Sequence, residues 1–449
     1  MSLGRAYRVG DSVTNGRVPL FLGFLGVLAQ GYTAWLVLGG HPRPPITRDS
    51  ALFQHAGWYV RTGAAPYADV WDPKPPLTFE FSALVSALTN DPYLLHLVHV
   101  SLMSAAAVGS VVLAGLLTKH LTDDPMAGVV GGASMLVLPG YLVRPTLGLK
   151  PKYYVLFAGL LALYLFARGR FTWSGVAAGA AVGFWQIGVV YPFVVSGLAV
   201  HRGDRRVVGR VLAGVGAAAA VVLVPVVLWG ALEEMVVQTV VVSLLFPEEF
   251  TIPQRLYWGV RRFKFGSLLV PLAGYGVYRF VRERPDTART EWWLLACAGW
   301  FAFVALFVDF DIWSYTDLIP GLPFVAIGVG LLYAHLDAAS LRRALVSLVA
   351  VVVVLNVFLQ GGFGLAFDPV PVSEPDEDLS RYTTMDGKTE GFAPAPASVS
   401  DVRYLYWNRV RPDNCHLRYS LLELHWIRAT GRYPNCGDNL DEALAMLRE

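Results

Sequence analysis

Eleven apolar runs divide this chain, and most approach or exceed the length a helix needs to cross about 30 Å of hydrocarbon. They lie at 18–38, 93–117, 126–143, 153–167, 171–186, 187–200, 208–229, 266–281, 291–308, 318–335 and 342–366. A water-soluble core cannot absorb so much apolar sequence: 55% of the residues are hydrophobic, only 16% are charged, and the mean hydropathy is +0.47. The expected fold class is therefore all-α, a polytopic membrane protein with about 11 transmembrane helices.

The basic residues orient these runs. Arg5, Arg8 and Arg17 precede the first, and no small-residue cleavage site follows it, so the first helix is expected to be uncleaved with a cytoplasmic N-terminus. Alternation then places Lys119, Arg168/Arg170, Arg202/Arg205/Arg206/Arg210, Arg279/Arg282/Arg284/Arg289 and Arg342/Arg343 on the same side. That distribution obeys the positive-inside rule. Two parts are expected: a transmembrane domain over 1–366 and an extracytoplasmic tail over 367–449. Cys297 falls inside a run as a packing residue, whereas Cys415 and Cys436 share the tail, where an oxidising compartment permits a disulfide. A metal site from Cys415, His416, His425 and Cys436 is the sharper alternative, but its spacing matches no common zinc pattern.

The first external loop, 39–92, is long for a connection between spans and rich in aromatic residues. Residues 49–62 read as a short helix that sets Leu52 and Phe53 against Ala56, Gly57 and Tyr59. The run from Leu77 to Leu88 is too short to span and is expected to lie along the interface. Between them stands VWDPKPPL, in which Pro73, Pro75 and Pro76 fix a rigid approach around Lys74. Asp69 and Asp72 read either as site residues or as turn formers beside Pro66 and Pro73, and Asp49 either as a catalytic carboxylate or as a helix cap.

The second external loop breaks the charge rule. Arg144, Lys150 and Lys152 crowd into LVRPTLGLKPKYY on the side that should be poor in positive charge. They read either as side chains snorkelling to headgroups or as an anion site. A lipid-linked phosphate would be an anion at that height. An enzyme using a polyprenyl-phosphate sugar needs a base for the acceptor hydroxyl and cations for the departing phosphate, and these loops offer both.

The same residues carry a resemblance. Asp49 after the first span, the stretch DSALFQHAGWYVRTGAAPYADVWDPKPPL and the later SYTDLIPGLP together resemble GT-C superfamily glycosyltransferases that use dolichyl- or polyprenyl-phosphate sugars. Within it they are most like archaeal dolichyl-phosphate-mannose mannosyltransferases of N-glycosylation. The resemblance implies an inverting transfer of a sugar, mannose for the likeness named, to a glycan or lipid-linked glycan acceptor on the external face of the cell membrane. It implies that Asp49 is the general base and that Lys74 contacts the lipid phosphate; the charge pattern adds Arg144, Lys150 and Lys152 as candidate phosphate contacts, and His55, Trp58, Tyr59, Tyr67, Asp69, Asp72, Tyr315 and Asp317 are the candidates to line the substrate. No metal and no cofactor are implied, and the pair Asp309 and Asp311 is read as solvated acids at a span end. The expected partners are the lipid-phosphate sugar, the glycan acceptor and membrane lipid, with no nucleic acid. Two departures stand out: Ser50 follows Asp49 where many relatives have a second acid, and Lys150 and Lys152 occupy a loop where many have one. The competing class is a transporter or flippase of a lipid-linked sugar, although Gln186 is one of few polar groups within the spans.

Overall fold

The computed structural model describes residues 12–39, 44–245, 250–308, 315–360, 406, 407 and 409, and these fold almost entirely as helix. In order they are α1 (Ser12–Leu38), α2 (Arg48–Arg61), α3 (Leu77–Ser86), α4 (Pro92–Thr122), α5 (Pro125–Ala133), α6 (Pro139–Val143) and α7 (Pro151–Ala167). Then come α8 (Phe171–Phe184), α9 (Val190–His201), α10 (Arg205–Leu228), α11 (Leu232–Val236), α12 (Val242–Leu245), α13 (Ile252–Phe263) and α14 (Leu269–Glu283). The last are α15 (Pro285–Thr290), α16 (Trp293–Phe303), α17 (Leu322–His335) and α18 (Ala339–Val354). Among the described residues the only β pairing is an isolated bridge between Pro66 and Val70.

Starts are written locally. Asp91, Asp124 and Asp204 each turn a carboxylate onto the first free N–H groups of α4, α5 and α10, and proline follows directly at Pro92 and Pro125. An acceptor before the first turn, with a residue that has no N–H to satisfy, is an efficient way to begin a helix. Where bundle helices meet closely, small residues let them. A side-chain carbon at Gly175 would stand 2.1 Å from the Val211 carbonyl, and one at Gly214 would stand 2.0 Å from that of Thr172, so α8 and α10 touch backbone to backbone.

The helical segments follow the apolar runs, but not all are spans by length. Five helices among the described residues are long and apolar enough to cross a membrane: Gly16–Leu38, Pro92–Thr122, Arg205–Leu228, Thr316–His335 and Ala339–Phe358. A bent pair, Pro125–Val137 and Pro139–Leu147, turns through 85° and makes a sixth where the two count as one span. The run at 126–143 is thus no straight span. Leu138 is extended (φ −99°, ψ 114°), as expected before proline, and Pro139 restarts the chain in a new direction. That bend brings Arg144 to Leu147 alongside α2: the Thr47 amide donates to the Leu147 carbonyl at 3.5 Å, and Ser50 Oγ donates to that of Leu149 at 3.0 Å.

α2 and α3 form the platform of the first loop. Gly57 lies against Ser82, and Phe53 and Tyr67 pack on Phe79 at centroid distances of 6.4 and 5.8 Å. A piece of the C-terminal tail covers the outer edge of this platform. Tyr406 and Trp407 are buried, the Tyr406 hydroxyl donates to the Pro92 carbonyl at 2.6 Å, and the Arg409 guanidinium lies 5.5 Å from the Trp58 ring. The expected Cys415–Cys436 bridge, the alternative site with His416 and His425, and the pair Asp309 and Asp311 lie outside the described residues.

Candidate active site

Asp49 is not the cap of its helix. Thr47 is: its Oγ1 accepts from the Ser50 amide at 3.3 Å, leaving the Asp49 carboxylate in the first turn without a capping duty. That carboxylate forms an ion pair with Lys150, and 49% of its side-chain surface stays open, whereas the Lys150 side chain is 9% exposed. Arg144 donates through Nη1 to Ser50 Oγ at 2.9 Å, so a second cation stands next to the acid. Gly148 makes this approach possible: it has φ +96°, and a carbon added there would meet Gln54 Nε2 at 2.3 Å. The ammonium of Lys150, opposed by burial and helped by Arg144, holds the Asp49 carboxyl well below the usual carboxylate range. Burial in turn lowers Lys150, against the pull of Asp49.

The proline turn is held by many hydrogen bonds. Tyr67 has φ +69°, its amide donates to the Val70 carbonyl at 2.9 Å, and its buried hydroxyl donates to the Lys74 carbonyl at 2.7 Å. The Asp72 carboxylate accepts from the Lys74 amide at 2.8 Å, and Asp69 accepts from the Ala65 amide at 2.6 Å; both acids are turn formers. Gln238 clasps the turn from a distant segment, donating to the Tyr67 carbonyl at 2.7 Å and accepting from the Asp72 amide at 3.1 Å. Gln186 donates to the Pro73 carbonyl and, at 3.0 Å, to that of Thr239. Burial, opposed by Lys74, pushes the Asp72 carboxyl up to about 6.

The result aims Lys74 inward. Its Nζ lies 3.9 Å from the ring centroid of Trp185, and Lys152 Nζ lies 4.0 Å from the same ring while pairing with Asp317. Arg144, Lys150 and Lys152 are all buried, which removes the snorkelling alternative: a snorkelling head sits in water, and these heads sit in protein. Lys150, Arg144 and Lys74 act on one centre, since all three lower the Asp49 carboxyl.

The remaining sequence candidates fall into two groups. Asp317 and Tyr67 are part of the cluster through Lys152 and Lys74. His55 and Trp58 pack on each other at 5.2 Å beneath Arg409, toward the tail, and Tyr59 packs against the core. Tyr315 begins the 3-10 turn that carries Asp317. Sequence reading missed Trp185, whose type says nothing of a site within an apolar run, and Gln238, which lies between two runs; it also passed over the cations of α13, Arg255, Arg261 and Arg262. Those three repeat the broken charge rule, a signal that was there to read.

Comparisons with known proteins bear on the fold and on the class of enzyme. A family model described as DolP-mannose mannosyltransferase matches residues 63–224. The dolichol phosphate-mannose mannosyltransferase of Haloferax volcanii is 29% identical over 95% of this chain and 96% of its own. The chain is a membrane glycosyltransferase similar to these enzymes. Its fold is that of ArnT from Cupriavidus metallidurans: the crystal structure of ArnT bound to undecaprenyl phosphate covers 98% of this chain and 91% of its own at a TM-score of 0.59 and 14% identity. The apo structure of ArnT gives 0.51 over 75% of this chain and 63% of its own. The chain therefore shares the fold of ArnT, and its described residues, almost entirely helical, include five helices long and apolar enough to cross a membrane.

Proposed function

We propose that this glycosyltransferase moves mannose from a dolichyl- or polyprenyl-phosphate donor to a hydroxyl of a glycan or lipid-linked glycan on the external membrane face, as in N-glycosylation, with inversion at the anomeric carbon. The observation that carries the reading is one half-open carboxylate, Asp49, set among Lys150, Arg144 and Lys74. The Haloferax relative is a dolichol phosphate-mannose mannosyltransferase, and a donor of that kind carries an anion of the right charge for those cations. In the reaction the acceptor oxygen bonds to the anomeric carbon, the bond from that carbon to the phosphate oxygen breaks, and its electron pair leaves with the phosphate. Asp49 takes the acceptor proton, while Lys74, Arg144, Lys150 and Lys152 stabilise the charge growing on phosphate. The grip of Lys150 keeps Asp49 ionised before substrate arrives. Donor phosphate offers Lys150 another partner, and loosening that grip raises the proton affinity of Asp49 when it is needed.

The topology we propose has about 11 spans, residues 1–366 as the transmembrane domain, a cytoplasmic N-terminus, and both the first loop and the 367–449 tail outside. The basic clusters support it, and so does the seating of Tyr406 on Pro92, which puts part of the tail beside the first loop. A Cys415–Cys436 bridge belongs to the same proposal. The test is transfer by purified protein supplied with a panel of polyprenyl-phosphate sugars and lipid-linked glycans. A new glycosidic bond of inverted configuration, formed from the mannose donor, is expected. Passage of the lipid-linked sugar across a bilayer with no new bond would replace the enzyme by a transporter.

A further inference from the structure

The indole of Trp185 meets two cations from different elements. Lys74 Nζ, from the proline turn, lies 3.9 Å from its ring centroid, and Lys152 Nζ, from the first turn of α7, lies 4.0 Å from it. The two ammonium groups are therefore held within twice that distance of each other, although like charges repel. We propose that Trp185 is a positioning residue for the lipid phosphate, its ring gathering the ammonium groups of Lys74 and Lys152 at one place while leaving the charge of Lys74 available to an anion. The inference rests on the donor reading above and deepens it at the same site.

The chemistry distinguishes an indole from any other partner. A carboxylate would gather two ammoniums more strongly, but it would cancel charge that the phosphate must meet. A ring quadrupole attracts a cation without neutralising it, and the attraction strengthens where water is excluded. Trp185 is 5% exposed, so the contact is made in such a place. Asp317 pairs with Lys152, while among the described residues the ring is the contact partner of the Lys74 ammonium. The backbone that carries the ring is also fixed on both sides. Trp185 is extended (φ −161°, ψ 139°) between α8 and the turn at Gln186–Val189, the Thr78 hydroxyl donates to the Phe184 carbonyl at 3.0 Å, and Gln186 donates to the Pro73 carbonyl. These bonds tie the segment that carries the indole to the turn that carries Lys74. A tryptophan that only filled space would not need that registration.

Fluorinated tryptophans separate holding cations from filling space. Introducing tryptophan with one to four ring fluorines at position 185 weakens its attraction for cations step by step with little change of shape. The probes are a short polyprenyl monophosphate and the matching uncharged polyprenol, titrated into the full-length purified protein. Affinity for the phosphate is expected to fall stepwise with each fluorine, by about tenfold across the series, while affinity for the polyprenol stays level. Trp185→Leu should lie at the weak end and Trp185→Phe between it and the wild type. A flat series in a protein whose preference for the phosphate is abolished by Lys74→Ala would overturn the role of Trp185 alone. If the wild type binds phosphate and polyprenol equally and Lys74→Ala changes neither, the donor reading falls, and the role of Trp185 falls with it.

Discussion

Asp49 and Lys150 hold each other in opposite ways: the ammonium keeps the carboxylate ionised, while burial works against the ammonium's own charge. A group whose folded pKa is depressed keeps its charge until the pH falls through that lowered value, so loss of ionised Asp49 should set in only well below the usual carboxylate range. Removing the largest cause of the depression moves this point upward. In Lys150→Ala the acid limb of the transfer rate should therefore shift to higher pH relative to wild type, measured on folded protein between about pH 4 and 8. Asp72 supplies a separate inflection near 6, which should persist in Lys150→Ala and disappear in Asp72→Asn. An unchanged acid limb would mean that Lys150 does not govern the base. The charges of this site were legible in the sequence because Lys150, Lys152 and Arg144 crowd into a short loop on the side the rule leaves poor in positive charge. Trp185 was not, because an aromatic residue within an apolar run reads the same whether it faces lipid, core or a lysine. Asp49 as helix cap was a fair reading of local pattern, and Thr47 displaced it because a hydroxyl two residues earlier has the extended backbone (φ −78°, ψ 159°) that a cap requires.

At the scale of elements, the two short helices of the first loop were visible as patterns: 49–62 corresponds to Arg48–Arg61, and Leu77–Leu88 to Leu77–Ser86. The broken span was not, since residues on both sides of Leu138 are apolar and periodicity cannot report a change of direction. Pro139 and Gly140 were its only mark, and the bend they permit is what carries Arg144 back to Ser50. The α2–α3 contact is the other decisive joint. A methyl at Gly57 would stand 2.3 Å from Ser82 Oγ and 2.5 Å from the Ser82 carbonyl carbon, and the latter is backbone that cannot rotate away. Gly57→Ala should lower stability by about 1–3 kcal/mol, as overpacking does, and should also reduce transfer, because α2 carries Asp49. Thermal unfolding in detergent together with the rate per folded molecule checks both; a variant with wild-type melting and rate would show that the helices separate freely.

For the whole molecule, the apolar runs announced a helical membrane protein, and their alternation with basic clusters announced an orientation. What length and composition could not supply is which of the shorter helices, such as Pro151–Ala167 and Phe171–Phe184, cross the bilayer, because that depends on neighbours that bury them. Orientation has a direct check. In a variant lacking native cysteines, a single cysteine at Leu88, on the first loop, should react with an impermeant reagent added outside intact cells. One at His201, beside the cluster Arg202–Arg210, should react only after permeabilisation. The reverse pattern would invert the molecule and move the site to the cytoplasmic face.

The central claim is that Asp49 takes the acceptor proton while Lys74 holds the departing phosphate. Single-turnover transfer from polyprenyl-phosphate mannose, with donor binding measured on the same folded samples, tests it most directly. Asp49→Asn should bind donor nearly as wild type yet react about a hundredfold more slowly or worse, and Lys74→Ala should lose more in rate than in donor affinity. A wild-type rate in folded Asp49→Asn would contradict the account.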